Sequence, residues 1–261
     1  MDAMDEGETG LPASIEAAWG RRARPSKGPR PGLSLERIVD AAVQVAAHDG
    51  LEAVSMSRVA AELDSSPMSL YRYVAAKDEL LALMGDAVMA DALADPSESD
   101  DGWRAGLSRW AWAYHAVLLR HPWVVRVPIS APPVTPNVTL WLERGLGTLR
   151  DTGLTEPEKL SLMLLVSGYV RNDAALAADI GAASAASGVS ESQIMPRWGE
   201  VLARLTDPAR FPALHAALAS DAFAQDDDPD DEFAFGLERI LDGIAALVAE
   251  RDTGRDGELR R

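Results

Sequence analysis

Apolar residues recur at helical spacing through almost the whole chain beyond residue 33. In the segment from Ser34 to His48, the side chains of Leu35, Ile38 and Val45 fall on one face of a helix that Ser34 caps. Similar patterns, bounded by capping residues, Pro or Gly, predict further helices at 77–91, 103–120, 137–151, 156–183, 190–205, 212–220 and 233–250. No segment has the alternation of a convincing strand, and there is no internal repeat. We therefore predict an all-α protein.

The stretch that begins at Ser55 predicts two short helices joined by a tight turn. Residues 59–63 carry an apolar stripe, and Ser55 or Ser57 is suited to cap this first helix. Asp64 stands at the corner, where Asp tolerates a left-handed backbone better than most residues do. Ser66 then caps a second helix whose first residue is a proline.

The second of these helices has one apolar side and one polar side. Leu70 and Val74 are predicted to be buried, and the outward positions are Met68, Ser69, Tyr71, Arg72 and Tyr73. So short a helix is not stable alone, so neighbouring helices must hold it. An outward face of hydroxyls, an Arg and a Met suits the major groove of DNA, where such groups reach phosphates, base edges and thymine methyls. A helical hairpin whose polar residues are merely solvated fits the same pattern.

Two segments, Gly50–Leu63 and Pro67–Leu81, resemble the DNA-binding domain of the TetR family of bacterial transcriptional regulators. The run Ser-Leu-Tyr-Arg-Tyr-Val at 69–74, followed by Lys-Asp-Glu-Leu-Leu at 77–81, is the most specific part. Asp64 departs from the pattern, since the family usually has Gly there. The resemblance implies a one-component regulator, most often a repressor, that binds a palindromic operator as a homodimer and is released by a small-molecule effector.

The resemblance also implies roles for residues of the helix-turn-helix. The positions that match base-facing residues are Ser57, Pro67, Met68 and Ser69. The positions that match residues facing phosphates or placing the helix are Ser55, Tyr71, Tyr73 and Lys77. Arg58 and Arg72 are further candidates without support from the family.

The pattern divides the chain into an N-terminal three-helix domain and a larger helical domain. The resemblance implies that the first binds DNA and that the second binds a ligand and dimerises. The predicted segments are a disordered arm at 1–32, the helix-turn-helix domain at 33–94 with its linking helix 77–91, a linker at 95–102, the second domain at 103–251 and a flexible tail at 252–261. Within the arm, the basic segment 21–30 carries five positive charges, which either touch DNA or only solubilise the chain. The net charge of −16 predicts weak non-specific affinity for DNA.

Large aromatic residues concentrate in the first part of the second domain. The candidates for contact with an effector are Trp110, Tyr114, His115, Trp141 and Tyr169, although core packing explains each of them as well. The segments 156–183 and 233–250 are apolar on more than one side. Burial between other helices is one explanation, and the resemblance implies another, a four-helix dimer interface that includes Leu237, Ile240, Leu241 and Ile244.

Other functions have weaker support. The chain has no cysteine, and no two of its four histidines stand at the i, i+4 spacing of metal ligands. It contains no phosphate-binding loop or nucleophile motif, so we expect neither a cofactor, a metal nor catalysis. Its acidic start and short apolar runs predict a cytoplasmic protein without a membrane span. One alternative is a Mg²⁺-dependent helical enzyme of the isoprenoid-synthase type that uses the acids of Asp226–Glu232. Another is a ligand-binding protein that no longer acts on DNA.

Overall fold

The structure is a computed structural model that describes residues 10–21, 33–94, 101–128, 133–223 and 229–258. Within these ranges it contains eleven α-helices and no strand, which confirms the all-α class. The helices are α1 (Ala13–Ala18), α2 (Leu35–Asp49), α3 (Met56–Glu62), α4 (Pro67–Leu70), α5 (Lys77–Leu93), α6 (Gly102–Arg120), α7 (Pro136–Thr148), α8 (Glu156–Ser187), α9 (Ile194–Leu205), α10 (Pro212–Leu218) and α11 (Pro229–Glu258).

The chain divides into two compact units, Met1–Met163 and Leu164–Arg261, with the boundary inside α8. The predicted linker 95–102 and basic segment 21–30 fall largely outside the described residues, as do the first three residues of the acidic run 226–232 and the last three of the tail. No helix in the described part combines the length and the apolar character needed to cross a membrane.

In the first unit, α2, α3 and α4 pack into a small three-helix domain. Its interior is formed by side chains that are almost completely removed from water: Ile38, Val45, Val54, Val59, Leu70 and Val74. Leu70 and Val74 lie on the inner side of the second short helix and its exit, as predicted. This burial supplies the stability that a helix of four residues lacks by itself.

Helix α5 connects this domain to the rest of the first unit. It packs against α2 on one side and against α6 and α7 on others. Apolar residues are therefore distributed around it rather than confined to one stripe, and Leu80, Leu83, Met84 and Val88 are all buried. Because α5 starts three residues after Val74, it ties the placement of the short helices to that of α6 and α7.

In the second unit, the remainder of α8 is followed by α9, α10 and α11. Phe233, Leu237 and Leu241 of α11 are buried. The ring of Tyr169 on α8 stacks on that of Phe233, with centroids 5.4 Å apart and planes 15° apart. This stacking joins α8 and α11 within the unit.

Two terminal segments differ from the prediction. Residues 13–18, expected to be disordered, form α1, in which Ser14 and Ile15 are buried. Six residues are too few to show a helical period, and tertiary packing rather than local propensity stabilises α1. At the other end, α11 continues through residues 252–258, where the sequence predicts a flexible tail.

Candidate DNA interface and its connection to the helical core

Two serine side chains cap the helices of the helix-turn-helix. The Ser55 hydroxyl accepts a hydrogen bond from the Arg58 backbone N–H at 3.1 Å, so α3 begins after Ser55 and not after Ser57. The Ser66 hydroxyl accepts from the Ser69 backbone N–H at 3.3 Å, and a proline follows Ser66 at the first helical position. These caps satisfy backbone donors that a helix start leaves open.

The turn between α3 and α4 depends on one left-handed residue. Asp64 has φ +48°, and within the described ranges it is the only residue other than glycine with a positive φ. Leu63 is the C-cap of α3, and the Ser65 N–H donates back to the Ala60 carbonyl at 2.9 Å. The prediction for Asp64 is confirmed, and the Asp that replaces the usual Gly adopts the same kind of backbone.

The outer side of α4 and its exit presents polar and thioether groups to solvent. Met68 is 74% exposed and Tyr71 is 46% exposed. Ser57, Arg72 and Lys77 are exposed as well, whereas Pro67 and Ser69 are half-buried. A helix with this surface matches the requirement for reading a DNA groove.

Tyr73 differs from the expectation that it faces outward. Its side chain is half-buried, and its hydroxyl donates to the Leu33 carbonyl oxygen at 3.0 Å. This bond attaches the end of the recognition segment to the residues just before α2. Tyr73 is thereby suited to placing the helix, which is one of the two roles that the resemblance implies.

Arg58 on α3 is held by two carboxylates. Its guanidinium lies 2.7 Å from Glu62 Oε2 and 3.0 Å from Asp49 Oδ2. The hydrogen bonds that Arg58 donates to Glu62, and then to Asp49, raise the pKa of Arg58 above its ordinary value. Because two carboxylates already accept its N–H groups, Arg58 has fewer free donors for a phosphate than an unpaired arginine has.

Asp86, in the middle of α5, joins that helix to the start of α7. Its Oδ1 accepts the backbone N–H groups of Asn137 at 2.8 Å and Val138 at 3.0 Å. The Asn137 side-chain amide also donates, to the Asp86 backbone carbonyl oxygen at 3.1 Å. Burial raises the pKa of the Asp86 carboxyl, and the hydrogen bonds from Val138, Thr135 and Asn137 oppose that rise.

Three of the predicted effector residues form one aromatic cluster between α6 and α7. The rings of Trp110 and Trp141 stack with centroids 5.1 Å apart and planes 14° apart, and Tyr114 lies 6.1 Å from the first and 6.4 Å from the second. The Trp110 indole N–H donates to the Trp141 carbonyl at 2.9 Å. Both tryptophans are buried, and Tyr114 is half-buried.

Two details set the packing of this cluster. Gly145 faces it so closely that an added Cβ would lie 2.5 Å from Met163 Sδ and 2.9 Å from Trp110 Nε1. The buried Trp141 indole N–H has no acceptor within hydrogen-bond distance among the described residues. An unpaired buried donor costs about 1–3 kcal/mol, and a ligand oxygen there would recover that energy.

The other two predicted effector residues have different surroundings. His115 is buried with its ring edge-on to Trp112, at 5.7 Å. Tyr169 belongs to the second unit, where its hydroxyl donates to the Phe233 carbonyl at 2.9 Å and it borders a groove of about 500 Å³ with Asp173, Asp231 and Phe235. Burial, followed by the charges of Asp173 and Glu232, raises the pKa of Tyr169.

Three of the four predicted dimer residues are buried within the single chain. Leu237, Leu241 and Ile244 are at most 2% exposed, so their side chains cannot contact a second copy, and only Ile240 is partly accessible. An apolar helical face has the same sequence pattern whether its own chain or a partner subunit covers it. The pattern of α11 therefore could not distinguish a buried core face from a dimer interface. The large apolar side chains that the second unit does expose include Leu164, Leu165, Leu176 and Phe235.

Family profiles match most of the chain. The profile described as "Bacterial regulatory proteins, tetR family" matches residues 38–84, and "Tetracyclin repressor-like, C-terminal domain" matches residues 95–248. The HTH-type transcriptional repressor DrrR1 of Streptomyces coeruleorubidus is 40% identical over 245 residues, which cover 94% of this chain and 89% of that protein.

Solved structures agree with the profiles. The crystal structure of apo ActR from Streptomyces coelicolor has a TM-score of 0.70 and 27% identity, covering 85% of this chain and 99% of ActR. ActR in complex with actinorhodin gives a TM-score of 0.69 with the same identity and coverage.

The fold and the capped, outward-facing recognition segment define a helix-turn-helix transcriptional regulator. The chain belongs to the TetR family, as the resemblance implies, and the regulators of this family are DNA-binding proteins rather than enzymes. Regulators of this family bind DNA and dimerise. The synthase-type alternative has no support, and the described acids of its run, residues 230–232, lie in the first turn of α11.

Proposed function

We propose that the protein acts as a homodimer on a palindromic operator, with the outer side of α4 in the major groove. The observation that carries this proposal is the exposure of Met68 and Tyr71 on a segment whose opposite side, Leu70 and Val74, is fully buried. Ser57, Pro67 and Ser69 are the further base-facing candidates. Tyr71 and Lys77 are assigned to phosphates, and Ser55 and Tyr73 to the placement of the helices. We place this activity in the cytoplasm, where a bacterial chromosome lies.

The proposed dimer interface uses the exposed sides of α8 and α11 in the second unit. Leu164 is 76% exposed and Phe235 is 66% exposed, so both of these large apolar side chains are accessible to a second copy of the chain. Along α8 the accessible positions 164, 168, 172 and 176 recur every four residues and include Gly168 and Leu176. Apart from Asn172 these positions carry a small or apolar residue, and such residues at this spacing allow close packing of two helices against two others.

The proposed effector is a planar aromatic small molecule held beside Trp141 and Tyr114. Aromatic rings supply apolar contact, and the Trp141 indole N–H supplies a directed donor for a carbonyl or hydroxyl oxygen. ActR, which is similar to this chain, has been solved with actinorhodin bound. Actinorhodin is therefore a rational first probe, with quenching of tryptophan fluorescence as the signal and Trp141→Phe as the matched variant that retains a ring without the N–H.

The proposed mechanism is a shift between two arrangements of α5. An effector that displaces α7 would act on Asp86 through its bonds to Asn137 and Val138, and so on α5 and the recognition segment that precedes it. In a dimer this movement changes the spacing of the two recognition helices. A fixed operator then loses affinity because its half-sites no longer match.

Selection of duplex DNA from a random pool tests the proposal directly. We expect enrichment of an inverted repeat, with half-sites about one helical turn apart or a multiple of it. Failure to enrich any sequence would favour the alternative of a ligand-binding protein without DNA activity. Enrichment of a single, asymmetric site would contradict the homodimer.

A further inference from the structure

Helix α1 precedes the residues that the family profiles match. Although it is only six residues long, it is packed against the rest of the first unit. It packs against α5, and its residues Ser14 and Ile15 are 2% and 4% exposed. A helix of this length does not persist without tertiary contacts. The burial of Ser14 and Ile15 therefore shows that contacts with the first unit stabilise α1.

Two side-chain hydrogen bonds attach the α1 segment at different places. The Ser14 hydroxyl donates to Glu79 Oε2 at 2.6 Å, in the first turn of α5. The Trp19 indole N–H, just after α1, donates to the Val134 carbonyl at 2.7 Å, in the segment that leads into α7. The α1 segment thus bridges α5 and the segment that leads into α7, the helix that Asp86 joins directly to α5.

The first of these attachments reaches the recognition segment. The oxygen of Glu79 that accepts from Ser14 also accepts the backbone N–H of Ala75 at 3.2 Å. Ala75 follows Val74 at the exit of the recognition segment. One carboxylate oxygen therefore holds both α1 and the connection between recognition segment and α5.

The second attachment lies at the surface. Trp19 is 41% exposed and borders an open groove of about 430 Å³ with Leu11, Pro133 and Leu142. A contact at the surface can break while the interior of the unit stays packed. The bridge is therefore able to open without unfolding the domain.

We infer that the α1 segment is a strap that holds α5 and the approach to α7 in the arrangement of this structure, and so opposes the movement that releases DNA. Its effect on operator affinity rests on the proposed function. Its effect on the two helices does not. Neither Ser14 nor Trp19 belongs to the surface assigned to DNA. The strap therefore affects DNA binding only by restraining the positions of α5 and the segment that leads into α7.

The test compares the full chain with its Ser14→Ala/Trp19→Phe double variant by amide hydrogen exchange. Trp19→Phe retains a ring and removes the donor, and Ala13→Ser, at an exposed position of the same helix, is the matched control. We expect roughly five-fold faster exchange at 75–80 and 133–139 in the double variant, as for the loss of one hydrogen bond at each place. Exchange at 107–118 in α6 should stay unchanged, which separates a local effect from general destabilisation.

Exchange equal to that of the control at both segments would overturn the strap. With the operator obtained from the random pool, the double variant should bind about five-fold more weakly than the Ala13→Ser control. Faster exchange combined with unchanged operator affinity would also overturn the inference, because α1 would then be docked without restraining the DNA-binding arrangement. If the unaltered chain selects no operator, the proposed function fails, and hydrogen exchange alone decides whether the strap exists.

Discussion

Asn137 donates two hydrogen bonds to Asp86 across 51 residues of sequence. The Asn137 backbone N–H donates to Asp86 Oδ1 at 2.8 Å, and the Asn137 side-chain amide donates to the Asp86 backbone carbonyl at 3.1 Å. The carboxylate also receives the N–H of Val138, so it caps α7 from a different helix. The pair connects the helix that follows the recognition segment to the helix that carries Trp141.

Replacing Asp86 by Ala should destabilise the protein by about 2 kcal/mol, because the N–H groups of Asn137 and Val138 lose their acceptor. Asp86→Asn retains an oxygen for both donors and should cost less than half as much. Urea unfolding followed by circular dichroism measures both changes. Equal stability of the Ala variant and the unaltered chain would show that the cap contributes nothing.

The stability of the protein should depend on pH through Asp86. Burial raises the pKa of this carboxyl in the folded chain above 3.8, its ordinary value, so the folded state binds the proton more tightly than the unfolded state. The stability that the folded protein gains from this tighter proton binding at Asp86 is fully present below pH 3.8. It is lost as pH rises through the folded-state pKa of Asp86. Subtracting the profile of Asp86→Asn from that of the unaltered chain isolates this contribution. A difference that grows more favourable with rising pH would contradict the assigned direction.

Lys77→Ala should weaken operator binding at all sequences and reduce the salt slope by about one, because one phosphate contact is lost. Tyr71→Phe should weaken binding with little change of slope, since it removes a neutral hydroxyl. Arg58→Gln is the control, and its effect should be smaller because two carboxylates already engage that guanidinium. Titrations at several salt concentrations provide the measurement. Lys77→Ala with unchanged affinity and slope would remove its phosphate role.

Leu164→Glu combined with Phe235→Glu should give a folded monomer, because both side chains are exposed on the proposed interface. Leu241→Glu should instead unfold the chain, since Leu241 is 0% exposed and a buried unpaired carboxylate is costly. Sedimentation velocity and circular dichroism distinguish the two outcomes. Persistence of the dimer in the exposed double variant at micromolar concentration would refute this interface.

Gly145→Ala should destabilise the aromatic cluster by about 1–3 kcal/mol, because the new methyl group overlaps Met163 and Trp110. Gly147→Ala, two residues further along α7, places its methyl in open space and should stabilise the chain by about 0.5–1 kcal/mol. Thermal unfolding compares the two substitutions. A Gly145→Ala variant as stable as Gly147→Ala would mean that the cluster repacks freely.

Features that depend on three or four adjacent residues could be predicted from the sequence. The caps at Ser34 and Ser66 each bond a backbone N–H three residues ahead. The left-handed Asp64 and the bonds of Thr155 to the Glu158 carboxylate are equally local. Such patterns determine the all-α class and the helix-turn-helix, because their physical cause lies within one helical turn.

Features that join distant parts of the chain were decided by the tertiary structure alone. Ser14 meets Glu79 across 65 residues and Trp19 meets Val134 across 115, so no local pattern marks α1 as docked. The burial of Leu241 and the role of Asp86 likewise depend on which helices pack around them. The sequence shows that an apolar helical face must be buried and that a buried acid needs hydrogen-bond donors. Which helix buries the face, and which N–H groups bond the acid, depends on how the folded chain packs.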